Sequence, residues 1–217
     1  WPRMLGAPGI MGWYSFVPFM ECNHGVVSLN HQLEGELTCT LNPGAPPQRI
    51  VFSGGKGYLE KDWGRSFPRA YVWMQTNHFG STDRASLLAS VAHIPWLRSH
   101  FIGFISGFWL EGKLHRFATY TGAQKHLEIG ASTVTLVFKN RREELRLLAT
   151  QAVGTALISP LQGEMTGKIN ESLQATIQVE LRIDGQRIFE DIGRNAGLEL
   201  AGALEVLTDH SSAGTTR

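Results

Sequence analysis

Only two cysteines, Cys22 and Cys39, occur in the 217 residues of this chain, and they do not form a CxxC pair. That excludes a multi-disulfide framework and a thiolate-rich zinc site, and leaves one Cys22–Cys39 disulfide as an unsupported alternative. Two buried or half-buried free thiols are expected instead. Charge of one sign is equally scarce, with 20 Lys+Arg against 19 Asp+Glu and Arg141-Arg142 as the sole adjacent basic pair. Nucleic acid is therefore not an expected partner, because neutralising phosphates takes a concentrated basic face. Long apolar runs are missing too. The strongest, FIGFISGFWL at 101–110, is broken by two glycines and is about half of the ~20 residues a membrane helix needs. The opening WPRMLGAPG lacks a basic and then apolar leader, so no secretory signal is expected, and Trp1 reads as a product of processing or truncation.

The motifs of nucleotide and hydrolase chemistry are absent as well. There is no GxSxG, no GxxxxGK[ST] and no GxGxxG opening a helix, and the eight histidines form neither HExxH nor HxH. No cofactor and no metal are expected, and each histidine is read as a structural or surface residue.

What the chain does have is period-two alternation. From 173 to 184, LQATIQVELRID puts Leu173, Ala175, Ile177, Val179, Leu181 and Ile183 on one face and polar residues on the other. This is the pattern of a half-buried strand. Asp184-Gly185 supplies the residues of a tight primed turn, and QRIFED returns as the second strand of a hairpin. Further strands are expected near 12–20, 24–30, 35–41, 48–53, 70–79, 85–93, 101–110, 114–120, 133–139, 144–150 and 164–169, separated by turns such as NPGAPP at 42–47 and NRRE at 140–143. Many short strands together with 24 glycines predict an all-β sandwich or up-and-down barrel.

Two segments carry candidate chemistry. In GIMGWYSFVPFMECNHGVVSLNH, at 9–31, Glu21 and His24 close an aromatic stretch; in EKDWGRSFPRAYVWMQTNHF, at 60–79, charges alternate with rings. Carboxylates at the ends of apolar strands are desolvated, which raises their pKa and keeps a proton available near neutrality. The plainer reading is that Asp62-Trp63-Gly64 shapes a turn. Gln75 and Asn77 share a face with Tyr71 and Trp73, and amides on an aromatic face suit a lined cavity better than a closed core.

The 60–79 segment resembles the signature EK-[ND]-WG-x-x-FP-[RK]-x-[WY]-x-W-x-Q-x-N-x-F of the tocopherol cyclase-like family. The 12–37 stretch beginning GWYSFVPF, GKLHRFATYTGA at 112–123 and DIGRNAGLELAG at 191–202 extend the resemblance over about 9–203. It implies a pair of lipocalin-like antiparallel β-barrel halves, with this chain as the second. Residues 1–50 would then be closing strands of a first half, 51–209 the second barrel and 210–217 a loose tail. It also implies an isomerase that closes a chromanol ring on a prenylated hydroquinone by acid catalysis, without redox change, metal or cofactor. The alternatives are a non-catalytic binder of an isoprenoid quinone or carotenoid, and a carotenoid-type hydratase. On this resemblance Asp62 is expected as proton donor, tuned by Glu60 and Lys61, with Glu21, His24 and Glu199 as further acid or base candidates. Trp63, Tyr71, Trp73, Trp13 and Tyr14 are expected to face the prenyl chain, and Gln75 and Asn77 to orient the quinol hydroxyls. The expected partner is a hydrophobic small molecule, met during transient contact of a cytoplasmic protein with a membrane surface.

Overall fold

Residue 1 and residues 9–96 and 99–208 are described in a computed structural model. The tail expected at 210–217 lies outside the described residues. Fourteen strands follow in order: β1 Cys22–Leu33, β2 Glu36–Cys39, β3 Gln48–Val51, β4 Gly55–Gly64, β5 Ala70–Thr76, β6 Ala85–Trp96 and β7 Ser99–Leu110, then β8 Lys113–Ala118, β9 Gln124–Ile129, β10 Thr133–Lys139, β11 Glu143–Thr150, β12 Thr155–Leu161, β13 Glu164–Ile183 and β14 Gln186–Ala201. The all-β expectation holds.

Ten of these strands form one antiparallel sheet in the order β8-β7-β6-β5-β14-β13-β11-β10-β9, with β12 also paired to β13. The alternation read from 173 to 184 is the C-terminal half of β13, where Ala175, Ile177, Val179 and Leu181 are fully buried. The hairpin into β14 turns at Asp184 and Gly185, with φ of 50° and 81°. Rings from the two ends of the sheet meet inside it: Phe138 of β10 lies 5.6 Å from Phe104 of β7 and 6.0 Å from Phe117 of β8. His115 Nδ1 of β8 is 2.9 Å from a Glu143 oxygen of β11. The sheet is thus rolled around a core of Val72, Met74, Leu87, Leu136, Leu147 and their neighbours, each large side chain contributing roughly 1.5–3 kcal/mol by burial. Among the described residues no pairing joins β8 to β9, so the roll stops short of a closed barrel.

A second layer lies on the outer face. Val72 and Met74 point into the roll, so Tyr71, Trp73 and Gln75 point out of it. Over them lies a two-stranded ribbon of β1 and β4, held by Ser86 Oγ donating to the Leu29 carbonyl at 2.6 Å. Ile10, Val26 and Leu88 form a small second core there with Tyr58, Trp73 and Ile105. β2 and β3 form a separate hairpin.

The strand expected at 12–20 is instead a 3-10 turn, Gly12–Phe16, followed by irregular chain. Its apolar residues run without alternation, so no single face could be buried by a strand. Gly12, at φ 55°, allows this strap to lie against the Tyr120 ring, 2.9 Å from where a Cβ would stand. Tyr120 also donates its hydroxyl to the Ile10 carbonyl at 2.6 Å.

Candidate active site

Between the outer face of the rolled sheet and the β1–β4 ribbon lies a cavity. β5, β6, β7 and β14 supply its floor with Tyr71, Trp73, Ser90, Ile105 and Glu199, the ribbon adds Cys22, His24, Glu60 and Asp62, and the strap adds Met11, Tyr14 and Met20. Residues directly paired across a sheet project from the same face. The row Glu199, Trp73, Ser90, Ile105 therefore follows from register alone, since each is the Cα partner of the next.

β4 decides which charges enter. Tyr58, Glu60 and Asp62 alternate inward, whereas Leu59, Lys61 and Trp63 face outward, with Lys61 Nζ 4.8 Å from the centroid of the exposed Trp63 ring. The stretch that reads as a turn is a strand whose polar side faces the cavity.

His24 and Asp62 are paired across the ribbon, and His24 Nδ1 lies 2.5 Å from Asp62 Oδ1. Its Nε2 is 3.5 Å from Glu60 Oε2. Burial disfavours a charged imidazole, but the hydrogen bond with Asp62 and the nearby Asp62 and Glu60 carboxylates overcome it and raise the His24 pKa. Glu60 accepts a hydrogen bond from Tyr58. Burial raises the Glu60 pKa, and His24, Tyr58 and the Trp73 indole oppose the rise; that indole N–H has no well-formed hydrogen bond of its own.

On the floor, Tyr71 donates its hydroxyl to Glu199 Oε2 at 2.7 Å. Burial pushes the Glu199 carboxyl up to about 7, and Glu171, Glu60 and Asp62 add to this against the Tyr71 hydrogen bond. Burial, with Asp62 nearby, pushes the Cys22 thiol up to about 12. Both cysteines are half-buried free thiols.

His24, Glu60 and Asp62 bring one ligating atom each to within 4.8 Å of one another. One imidazole and two carboxylates are a set that could hold a divalent cation. In the structure the His24–Asp62 hydrogen bond already engages two of the three. The arrangement gives an apolar, ring-lined pocket with a protonatable carboxyl on one wall and an imidazole–carboxylate pair on the other.

Of the residues singled out from sequence, His24, Glu60, Asp62, Tyr71, Trp73, Tyr14 and Glu199 line this cavity. Lys61 and Trp63 are placed on the far side of β4 and do not. Glu21 is exposed and contributes its backbone carbonyl, which accepts from the Arg65 N–H at 2.7 Å. Trp13 is exposed and stacks on Tyr14 at 4.1 Å. Gln75 and Asn77 lie further along the floor, outside the cavity lining, each with a buried side-chain nitrogen that has no partner. Cys22, Phe67, Pro68 and Tyr120 also line the cavity and went unassigned by sequence reasoning. All four stand within the quoted motifs, which was a usable signal.

The profile of the tocopherol cyclase-like family matches residues 1–202. The chain belongs to the tocopherol cyclase-like family. A relative from Oryza sativa subsp. japonica, named as a probable tocopherol cyclase, chloroplastic, is 25% identical over 208 residues, covering 88% of this chain and 42% of its own length. The tocopherol cyclase, chloroplastic, of Zea mays is 25% identical over 203 residues, covering 88% and 41%. The chain thus spans about two fifths of the length of these curated relatives. Their names place those proteins in the chloroplast, whereas a cytoplasmic location was expected for this family member from its sequence. Among the described residues no helix is long and apolar enough to cross a membrane.

Proposed function

We propose that this chain carries an acid–base site for redox-neutral cyclisation of a prenylated hydroquinone to a chromanol. The observation that carries the reading is Glu199, a half-buried carboxyl held at about 7 on the floor of an aromatic cavity, facing the His24–Asp62 pair of the ribbon. Family membership and relatives named as tocopherol cyclases support the same reaction class.

Near neutrality a large share of Glu199 is protonated, and it is the donor the surroundings favour over Asp62, whose carboxylate is engaged by His24. Glu199 gives its proton to the less substituted alkene carbon, leaving a tertiary cation. The rings of Trp73 and Tyr120 line the space where that cation forms and stabilise it. The phenol oxygen then forms the C–O bond, and its proton passes to the His24–Asp62 pair. No atom is gained or lost, and the cycle closes when the His24–Asp62 pair gives up the phenol proton to solvent and Glu199 takes one back. Met11, Met20, Phe67, Ile94, Phe101 and Phe104 supply apolar wall for the isoprenoid tail, each buried CH₂ contributing about 0.8 kcal/mol.

The test is mass-resolved turnover of a prenylated benzoquinol, with bound ligand quantified in the same samples. Product of unchanged mass from the parent and none from Glu199→Gln supports cyclisation. Product heavier by one water assigns a hydratase. Bound quinol with no product in either protein leaves a binder of isoprenoid quinones, the reading favoured if residues beyond this two-fifths span are needed for turnover.

A further inference from the structure

We propose that the outer surface of the 9–21 strap, with Trp96 beside it, is a docking face for a lipid bilayer containing anionic lipid. The choice of a bilayer rests on the isoprenoid reading of the cavity; the surface itself does not.

The exposed rings of this protein are not scattered. Six Trp or Phe side chains among the described residues are exposed, and four of them are Trp13 at 44%, Phe16 at 65%, Phe19 at 74% and Trp96 at 36%. The first three lie on the strap, and Trp96 is tied to it by its indole N–H, which donates to the Pro18 carbonyl at 3.0 Å. An unsupported loop would fold such rings under itself. Here Tyr14 is stacked between Trp13 at 4.1 Å and Phe101 at 5.4 Å, which anchors the strap to the sheet. Phe19 takes a left-handed backbone at φ 63°, a conformation disfavoured for a bulky residue. That turn leaves Phe19 outside while its neighbour Met20 lines the cavity.

One segment therefore has the cavity wall on its inner side, through Met11, Tyr14 and Met20, and rings in solvent on its outer side. Tryptophan and phenylalanine held this way suit the boundary between head groups and acyl chains. The adjoining charge is complementary to an anionic membrane. Arg65 and Arg69 are exposed, neither makes an ion pair among the described residues, and they flank Phe67-Pro68 of the cavity wall. The Arg65 N–H binds the Glu21 carbonyl, so this basic edge is continuous with the end of the strap. An isoprenoid quinol in such a bilayer would face the cavity with only the strap between them.

The experiment is flotation of the full chain with phosphatidylcholine vesicles, with and without phosphatidylglycerol, following tryptophan emission. The parent is expected to float with the mixed vesicles and shift its emission to the blue. Phe16→Ser with Phe19→Ser is expected to lose about tenfold or more in partitioning. Arg65→Gln with Arg69→Gln is expected to lose about fivefold per arginine, and only with the anionic vesicles. Leu157→Ser with Ile158→Ser, exposed apolar residues of β12, is the control expected to float like the parent. The proposal is overturned if the parent stays with the soluble fraction, if the phenylalanine variant floats equally well, or if the parent is a dimer that this variant disperses without vesicles, since a second copy then covers the face. Turnover of detergent-solubilised quinol, measured alongside, separates the two claims: vesicle binding without turnover sinks the catalytic reading and leaves the docking face standing.

Discussion

Glu199→Gln should make this protein more stable above neutral pH, although it removes the group proposed to donate the proton. A free glutamate side chain titrates at 4.5, and Glu199 does so at about 7 in the folded chain. Its folded pKa is raised, so as pH climbs from about 4.5 the unfolded chain releases this proton first and gains relative to the folded one. The loss grows until the folded carboxyl also ionises near 7, and is constant above that. At about 1.4 kcal/mol per pH unit, the gap between 4.5 and about 7 corresponds to about 3 kcal/mol at most. The glutamine amide is neutral at every pH, and its oxygen still accepts the Tyr71 hydroxyl. Urea denaturation of parent and variant should therefore give a stability difference that grows in favour of the variant between pH 5 and 8 by about 2–3 kcal/mol. A difference flat across that range would show that Glu199 titrates like a free side chain, and the desolvated-acid reasoning would be wrong.

Asp62→Asn should lower the His24 pKa, since the hydrogen bond and charge of Asp62 are what overcome burial at that imidazole; an NMR titration of the His24 ring reads it directly. The stabilisation that goes with this raised pKa is fully present below the unfolded histidine value and disappears as pH rises through the folded one, so the variant should lose stability mainly at the acidic end. Phe138→Ala removes a fully buried ring packed on Phe104 and Phe117 and should cost about 3–5 kcal/mol in denaturant unfolding. Gly202→Ala should cost at least about 2 kcal/mol, because φ is 75° there and the new Cβ would stand 1.9 Å from the Arg69 carbonyl oxygen; an unchanged melting midpoint would contradict it.

The parts of the fold legible in the sequence are those where one strand face is buried and the other wet. Residues 175–183 are such a case, and so is the turn at Asp184-Gly185, where positive φ selects those residues. Leu173, expected on the same face, is turned out to solvent by the register shift between Ser172 and Ala175. β4 was illegible for the opposite reason. Its Glu60 and Asp62 are the inward side and its Leu59 and Trp63 the outward side, because the cavity needs charge where a core would need hydrocarbon. β9 and β12, QKHLEI and TALISPL, carry too few alternating apolar residues to stand out, and β12 lies along β13 without joining the main run of strands. β13 reads as two strands because Asn170-Glu171-Ser172 looks like a turn, yet the chain runs through with irregular register beyond Ser172. The site was half legible. The motif located Asp62, Glu60 and Glu199, and β-alternation separates Lys61 and Trp63 from them once 55–64 is known to be a strand. That the pocket lies between the sheet and a ribbon, outside the roll, depends on long-range packing that local patterning does not encode.

Turnover in D₂O shows whether the alkene takes its proton from the Glu199 carboxyl on the cavity floor. Solvent deuterium exchanges onto Glu199 and is delivered to carbon, where it no longer exchanges. The parent should yield a chromanol carrying one deuterium on the newly protonated carbon, and Glu199→Gln should yield none. Chromanol without deuterium, or deuterated chromanol formed equally well by Glu199→Gln, would contradict the claim.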